Sequence, residues 1–248
     1  MEKIVATARV AAEANVGDVL WTNCLAVVAD DKKDIPWDHD QLHILRDTMR
    51  LCIHPLRESR RILLFFEDKE FTGKAGKKEE GSNKSAILRG HRKQAEADIF
   101  RLCNELLGSE RIRRDEGLCP DLRAQLTKVR ADMHRYCAEV RGGTDETHAK
   151  DAEATYQTAL AQSATFGPVD DTRLAICLNY SVFYREVLKS PDKACDIAKA
   201  AIDSALVEDS GEMNSRVFLM LQQNLKIWTA QIENPLSEST GRIGQEAL

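Results

Sequence analysis

The stretch DTRLAICLNYSVFYREVLKSPDKACDIAKAAIDSAL, from Asp171 to Leu206, decides the fold class. Its first half is an almost continuous apolar helix that Asp170 or Asp171 can cap. Ser190-Pro191 then supplies an N-cap and a proline at the first position of a second helix. The second helix has a small-residue face suited to close packing, formed by Ala194, Ile197, Ala198, Ala201, Ile202 and Ala205. Two helices with a short connection predict an antiparallel pair.

Helical periodicity continues on both sides of this pair. It predicts one or two helices over residues 3–30, with a break at Gly17, and further helices at 42–70, 91–107, 122–140, 147–163 and 212–232. Arg141-Gly142-Gly143 predicts a C-terminal stop for the helix at 122–140. Residues 69–90 lack an apolar period and predict a mobile loop. We therefore expect an all-α antiparallel array of about nine helices, forming one domain over residues 1–232 with a disordered tail at 233–248.

Composition limits the classes of function. The net charge is -5, which argues against a general binder of nucleic acid or anionic membranes. No stretch approaches the roughly 20 apolar residues of a membrane span, and the N-terminus is not a signal peptide, so we expect a cytoplasmic protein. The seven cysteines show no CxxC pair and no disulfide framework, which favours reduced, mostly buried thiols.

Four motifs carry a family resemblance. The stretch from Asp171 to Leu206 resembles the best-preserved part of 14-3-3 proteins, and RYCAEV (135–140), LCNELL (102–107) and LMLQQNLKIW (219–228) resemble other 14-3-3 segments in family order. The resemblance covers most of the chain from Gln41 to Trp228. It implies a groove lined by the third, fifth, seventh and ninth helices. It also implies a non-enzymatic adaptor, without cofactors, that binds phosphorylated Ser/Thr segments of client proteins and regulates signalling.

The resemblance also assigns site residues. RLCIHPLRESRRI, from Arg50 to Ile62, falls over the third-helix motif of the family. The implied phosphate-binding residues are Arg50, Arg57, Arg135 and Tyr136. The implied peptide-binding residues are Arg61, Lys128, Asn179, Val182, Glu186, Met220, Asn224, Ile227 and Trp228.

The residues themselves show how such a site could work. An ideal α-helix turns about 100° per residue, so Arg46, Arg50, Arg57 and Arg61 would share a face roughly 60° wide. Such a stripe alone is usually a solvated surface, and only the family resemblance favours an anion site. On the fifth helix, Glu139 lies one turn from Arg135, and Asp132 one turn from Tyr136. These carboxylates could therefore hold the guanidinium and the phenol in place.

Two other classes of function compete with the adaptor. An enzyme is not expected, because the sequence contains no GxSxG, Walker or Rossmann motif. The pair His39 and His43 has helical metal-ligand spacing but lies at a helix start, and we predict no metal site. The rival is a helical scaffold of the same fold that has lost phosphopeptide binding. The departures from the family pattern that support it are His54, Pro55, Ala175, Gln222 and Gln223.

The N-terminal segment bears on self-association. The family's Arg-Tyr-x-Asp dimer signature is replaced by NVGDVLW, from Asn15 to Trp21, which places a glycine inside the expected helix. A glycine there costs about 1 kcal/mol. Val16, Val19, Leu20 and Trp21 could still form an apolar contact. We therefore predict a homodimer with a weakened interface.

Overall fold

The computed structural model describes residues 17–28, 37–72, 80–142, 146–208 and 215–234, and its regular secondary structure there is entirely helical. The helices are α1 (Gly17–Val28), α2 (His39–Thr48), a π-helical turn (Met49–Ile53), α3 (His54–Thr72), α4 (Glu80–Gly108), α5 (Glu110–Arg113), α6 (Pro120–Arg141), α7 (Thr147–Gln162), α8 (Asp171–Glu186), α9 (Pro191–Glu208) and α10 (Arg216–Glu233). Since α2, the π turn and α3 are continuous, these residues form nine helices. The all-α prediction is confirmed.

Local signals set many of the helix boundaries. The side chains of Asp38, Asp170 and Ser215 accept backbone N–H groups at the starts of α2, α8 and α10. Pro120 stands in the first turn of α6, where its missing N–H has no helical partner to lose. Gly142 ends the same helix with a φ of 56°, a conformation that costs glycine little. The predicted capping at Asp170 and the stop at Gly142 are confirmed.

The helices group into two compact units, residues 1–114 and 115–248. In the first unit, Trp37 Nε1 donates a hydrogen bond to the Arg111 carbonyl at 3.0 Å, and Ser109 Oγ donates to the Val28 carbonyl at 2.9 Å. These bonds connect the start of α5 to the end of α1 and to Trp37, which precedes α2. Side chains buried in this unit include Cys24, Val27, Leu42, Leu45, Met49, Ile53, Ile99, Cys103 and Leu106.

Helices α3 and α4 pack against each other and are joined by ion pairs. Arg92 Nε donates to Glu67 at 2.7 Å, and Arg92 Nη1 donates to Glu96 at 2.9 Å. Arg60 Nε reaches the same Glu96 oxygen at 2.9 Å. Because all four side chains are no more than 20% exposed, this network is better shielded from water than an ordinary surface pair.

The loop predicted at residues 69–90 is wrong over most of its length. Helix α3 continues to Thr72 and α4 begins at Glu80, while residues 73–79 lie outside the described part. Lys, Glu and Ala are good helix formers, so a polar sequence can continue a helix whose distal half is packed. Ala86, Ile87, Arg89 and Gly90 are exposed, which explains why the sequence shows no apolar period there.

The second unit has an aromatic core. Tyr156 of α7 stacks on Tyr180 of α8, with ring centroids 5.3 Å apart, and Phe183 lies 5.7 Å from the ring of Tyr156. Helix α9 packs on α8 and α10. Its buried face is formed by Ala194, Ala198, Ile202 and Ala205. The small-residue face predicted from the sequence is therefore confirmed as a packing surface.

Some expectations lie outside what the structure tests. Residues 3–16, the connection at 29–36 and the tail from 235 lie outside the described residues. The single domain over 1–232, the disordered tail and the cytoplasmic location stay predictions. Among the described helices, none combines the length and apolar character needed to cross a membrane.

Candidate functional site

The central part of α6 carries a group of buried charged residues. Lys128, Asp132, Arg135 and Tyr136 lie at spacings of three and four and are all buried, with Arg135 and Tyr136 fully inaccessible. Charged side chains are rarely buried unless they are paired. The partners of these side chains therefore define the site.

Asp132 is the common acceptor of this group. Lys128 Nζ donates to Asp132 Oδ2 at 2.9 Å, and Arg135 Nη2 donates to Oδ1 at 3.2 Å. From α7, the Tyr156 hydroxyl also donates to Oδ1. From α8, Asn179 Nδ2 lies 2.9 Å from Oδ1 and 3.0 Å from Oδ2. One carboxylate therefore joins three helices through charge-assisted hydrogen bonds.

The electrostatics of Asp132 follow from these partners. Burial alone would raise the pKa of its carboxyl group. The charges of Lys128 and Arg135 and the bonds from Tyr156 and Lys128 outweigh burial, and the pKa of Asp132 lies below its usual value. The pKa of Tyr156 is raised, mainly by burial, so its hydroxyl stays protonated and can donate. Asp132 is therefore a permanent anion at neutral pH.

Arg135 is held on several sides. Its Nε donates to the Tyr156 hydroxyl at 3.0 Å, and its Nη1 donates to Glu139 at 3.0 Å. Its guanidinium carbon lies 4.6 Å from the ring centroid of Tyr136. The predicted Arg135–Glu139 contact is confirmed. The expected pairing of Asp132 with the Tyr136 phenol is corrected, because the phenol that bonds to Asp132 is that of Tyr156.

Helices α8 and α10 carry the other predicted peptide-binding residues of this unit. Asn179, Val182, Asn224 and Trp228 are buried. The partly buried ones are Glu186, Met220 and Ile227. The two helices pack together, and Arg185 Nη2 of α8 donates to Gln231 of α10 at 2.9 Å. Among the described residues the buried Trp228 Nε1 meets no hydrogen-bond acceptor. Among all the predicted peptide-binding residues, Lys128 of α6 and Asn179 of α8 are joined through their bonds to Asp132.

In the first unit, the predicted basic stripe is interrupted by the π turn. The His54 N–H bonds to the Met49 carbonyl, five residues back, just before Pro55. A proline ring clashes with the carbonyl four residues earlier and lacks an N–H, and a wider turn accommodates both defects. One extra residue in the turn rotates the following helix by about 100° relative to the preceding one.

The ideal-helix geometry behind the predicted stripe of four arginines therefore does not hold across this turn. Arg50 is 54% exposed and donates to Asp47 at 3.1 Å, whereas Arg57 is only 3% exposed. Arg61 is 28% exposed and lies 3.4 Å from Glu58. The irregularity is local to the π turn. The assignment of Arg50 and Arg57 to a phosphate site, and of Arg61 to the peptide site, stays a prediction.

The His39 and His43 pair has another role in the fold. Asp38 and Gln41 form a reciprocal capping box at the start of α2. His43 Nδ1 lies 3.0 Å from Asp47, the same carboxylate that Arg50 contacts. Both histidines are exposed. The pair is thus part of a solvated helix start.

Tyr156 and the central role of Asp132 were not predicted from the sequence. Tyr156 is 24 residues from Asp132 in the chain, so no helical spacing relates the two. A signal for Asp132 was present, since it lies four residues after Lys128 and three before Arg135. A carboxylate between two cations on one helix face is a candidate for a buried hub.

The fold and site define an all-helical protein with a buried cluster of cations organised by one aspartate. The family model described as "14-3-3 protein" matches residues 8–229, and the chain belongs to the 14-3-3 family. It is 29% identical over 245 residues to 14-3-3 protein zeta of Xenopus laevis, covering 95% of this chain and 96% of that protein.

Plant relatives give the same result. The 14-3-3-like protein GF14-A of Oryza sativa subsp. japonica is 35% identical over 209 residues, covering 79% of this chain and 75% of that protein. The 14-3-3 protein 7 of Solanum lycopersicum is 29% identical over 253 residues, covering 97% and 95%. The resemblance inferred from the motifs is confirmed.

Proposed function

We propose that the protein is a non-enzymatic adaptor that binds client segments phosphorylated on Ser or Thr and thereby regulates signalling proteins. The observation that carries this proposal is the fully buried Arg135, oriented by Asp132, Glu139 and Tyr156. A guanidinium held in one orientation by three neighbours suits a phosphate, and because it is fully buried, neighbouring side chains must move to admit the anion.

Charge balance indicates what else a phosphate needs. Lys128 and Arg135 carry two positive charges, and Asp132 and Glu139 carry two negative charges, so this cluster is neutral. A phosphoserine carries about -1.5 to -2 at neutral pH. The additional phosphate-binding cations in the proposal are Arg50 and Arg57, with Tyr136 as a hydroxyl donor, and Arg61 belongs to the proposed peptide site.

The proposed peptide site uses amides and apolar side chains. Asn179 and Asn224 supply amides that suit the backbone of a bound segment. Trp228 adds a buried indole N–H that meets no acceptor among the described residues. Because an unsatisfied buried donor is unfavourable, a ligand that supplies an acceptor to this N–H would bind more tightly. The proposed apolar contacts are Val182, Met220 and Ile227, and Glu186 and Lys128 lie beside them as charged neighbours.

A binding titration tests the proposal. A fluorescent Arg-Ser-x-pSer-x-Pro peptide should bind, and its unphosphorylated twin should bind far more weakly. Arg57→Glu and Arg135→Glu should each remove most of the binding, because they delete a donor and add repulsion. The matched control is Arg101→Glu, at an arginine that is 62% exposed on α4. Equal affinity for the two peptides would favour the scaffold that has lost phosphopeptide binding.

Self-association is the second part of the proposal. The first unit exposes large apolar side chains at Val19 (42%), Ile62, Phe65 and Phe66 (48% each) and Ile87 (53%). Exposed apolar groups of this kind are typical of protein interfaces. We propose a homodimer built on this unit and weakened by the altered N-terminal signature. In sedimentation over a dilution series, a dimer persisting at nanomolar concentration contradicts the weakening, and a strict monomer contradicts the dimer.

A further inference from the structure

Helices α6 and α7 bring together three potential metal ligands outside the proposed peptide site. His134 Nδ1 lies 3.1 Å from His148 Nδ1 and 3.8 Å from Asp151 Oδ2. One ligand atom from each residue lies within 4.8 Å of the other two. The imidazole rings are 5.3 Å apart between centroids, with an interplanar angle of 43°. Two ring nitrogens therefore face each other beside a carboxylate.

We propose that His134, His148 and Asp151 bind a divalent first-row transition-metal ion, with Zn²⁺ as the best match. Two imidazoles and one carboxylate are a familiar zinc ligand set, whereas Mg²⁺ and Ca²⁺ prefer oxygen ligands. No metal site is predicted from the sequence, because helical spacing relates ligands on one helix and this site needs two.

The distance between the two nitrogens fits the proposed ion. A zinc ion placed about 2.05 Å from each nitrogen would give an N–Zn–N angle of about 100°, close to the tetrahedral value. Asp151 is half exposed, so its carboxylate can adjust to complete three ligands. Solvent would fill the fourth position. A 3.1 Å contact between two Nδ1 atoms otherwise requires one of them to carry a hydrogen. An ion would replace that hydrogen.

Other charges near the site set limits on its affinity. Arg130 is a nearby cation, but its Nη2 donates to Thr127 at 2.8 Å and lies 3.4 Å from Asp115, which partly balances its charge. His148 is in the first turn of α7, where the positive end of the helix dipole opposes a cation. Asp151 supplies one negative charge in return. We expect weaker binding than at a closed four-ligand zinc site.

Competition between the full-length chain and a chromophoric chelator for Zn²⁺ tests the site. His134→Gln, His148→Gln and Asp151→Asn should each weaken Zn²⁺ binding by at least the roughly 10–100-fold that follows loss of residues that merely orient metal ligands. Matched controls are His43→Gln, at an exposed histidine beside Asp47, and Cys119→Ser, at the exposed thiol. Neither control should change the affinity.

Two further measurements keep the proposal testable if a histidine variant unfolds. Asp151→Asn changes a half-exposed side chain and should leave the metal-free melting temperature unchanged while reducing the Zn²⁺-dependent rise in melting temperature. In long-range ¹H–¹⁵N spectra of the wild-type chain, Zn²⁺ should shift the Nδ1 resonances of two histidines. One of these resonances should be absent from His134→Gln and the other from His148→Gln. Binding unaffected by all three ligand substitutions, shifts at other histidines, or no Zn²⁺ binding would each overturn the proposal.

Discussion

The predicted phosphate-binding arginines lie in two regions that differ in how their charges are held. In α6, Arg135 is fully buried and bonded to two carboxylates and a tyrosine. In the helix formed by α2, the π turn and α3, Arg50 is exposed and bonded to one carboxylate, Asp47. The first region is a pre-organised network. The second is a set of separate contacts around an irregular turn.

This contrast teaches when helical spacing is informative. In a regular helix such as α6, residues three and four apart meet, and Arg135 bonds to both Asp132 and Glu139. Around a π turn, residues on its two sides no longer share the face that an ideal helix would give them. The spacing rule for an ideal helix therefore holds in α6 and does not hold across the π turn.

The contrast predicts a large difference between two aspartates. Asp132→Asn should lower the free energy of unfolding by about 3–5 kcal/mol, because it leaves Lys128 and Arg135 buried without their shared anion. Asp47→Asn, which removes the partner of Arg50 and His43, should cost roughly 0–1 kcal/mol. Urea unfolding followed by circular dichroism measures both. Equal losses would mean that the two regions hold their charges alike.

Substituting Arg50, which lies within the π turn, and Arg57, which follows it, should change phosphopeptide affinity by different amounts. Arg57→Ala should cost about 1.5–3 kcal/mol, or roughly 10–100-fold in Kd, since it removes a buried charged donor. Arg50→Ala should cost roughly 0–1 kcal/mol, because this side chain is largely in water. Fluorescence anisotropy with the phosphorylated peptide compares them. A loss at Arg50 as large as at Arg57 would show that both arginines meet the ligand despite the π turn.

Acid should weaken the network in α6 through Asp132. The folded-state pKa of this carboxyl lies below its unfolded value, so its contribution to stability is complete above the unfolded pKa, about 4. It is lost as the pH falls through the folded pKa. Unfolding free energies between pH 5 and acidic conditions should therefore fall more steeply in the wild type than in Asp132→Asn. Identical slopes would place the acid sensitivity elsewhere.

The pairing of α3 with α4 should give the smallest effect. Arg92→Ala removes bonds to Glu67 and Glu96 and should cost about 1 kcal/mol, with faster amide exchange at residues 85–90. Arg101→Ala is the matched control on the same helix, because its contacts to Asp98 and Glu105 are 3.7 Å long and it is 62% exposed. The control should show no measurable change. Rapid exchange at 85–90 in the wild type would restore the loop that the sequence predicted.

Much of the fold could be predicted because its signals are local. Asp170, Gly142 and the alanine face of α9 act through neighbouring residues, and each was identified from the sequence alone. The bonds of Asp132 to Tyr156 and Asn179 could not be predicted, since they join residues 24 and 47 positions apart. The π turn was missed for another reason. Pro55 predicts an irregularity in the helix, but a proline is compatible with a kink, a break or a wider turn, and the sequence does not distinguish these.

The placement of the cysteines decides how the protein responds to oxidants and thiol reagents. All seven thiols lie in the described part of the chain, and none of them forms a disulfide there. Burial raises the pKa of Cys24 to about 12 and that of Cys177 to about 11, which keeps these groups in the unreactive thiol form. Of the seven, only Cys119 is exposed, next to the start of α6. Alkylating reagents should therefore reach Cys119 first, and a dye attached there would lie on the helix that carries Arg135.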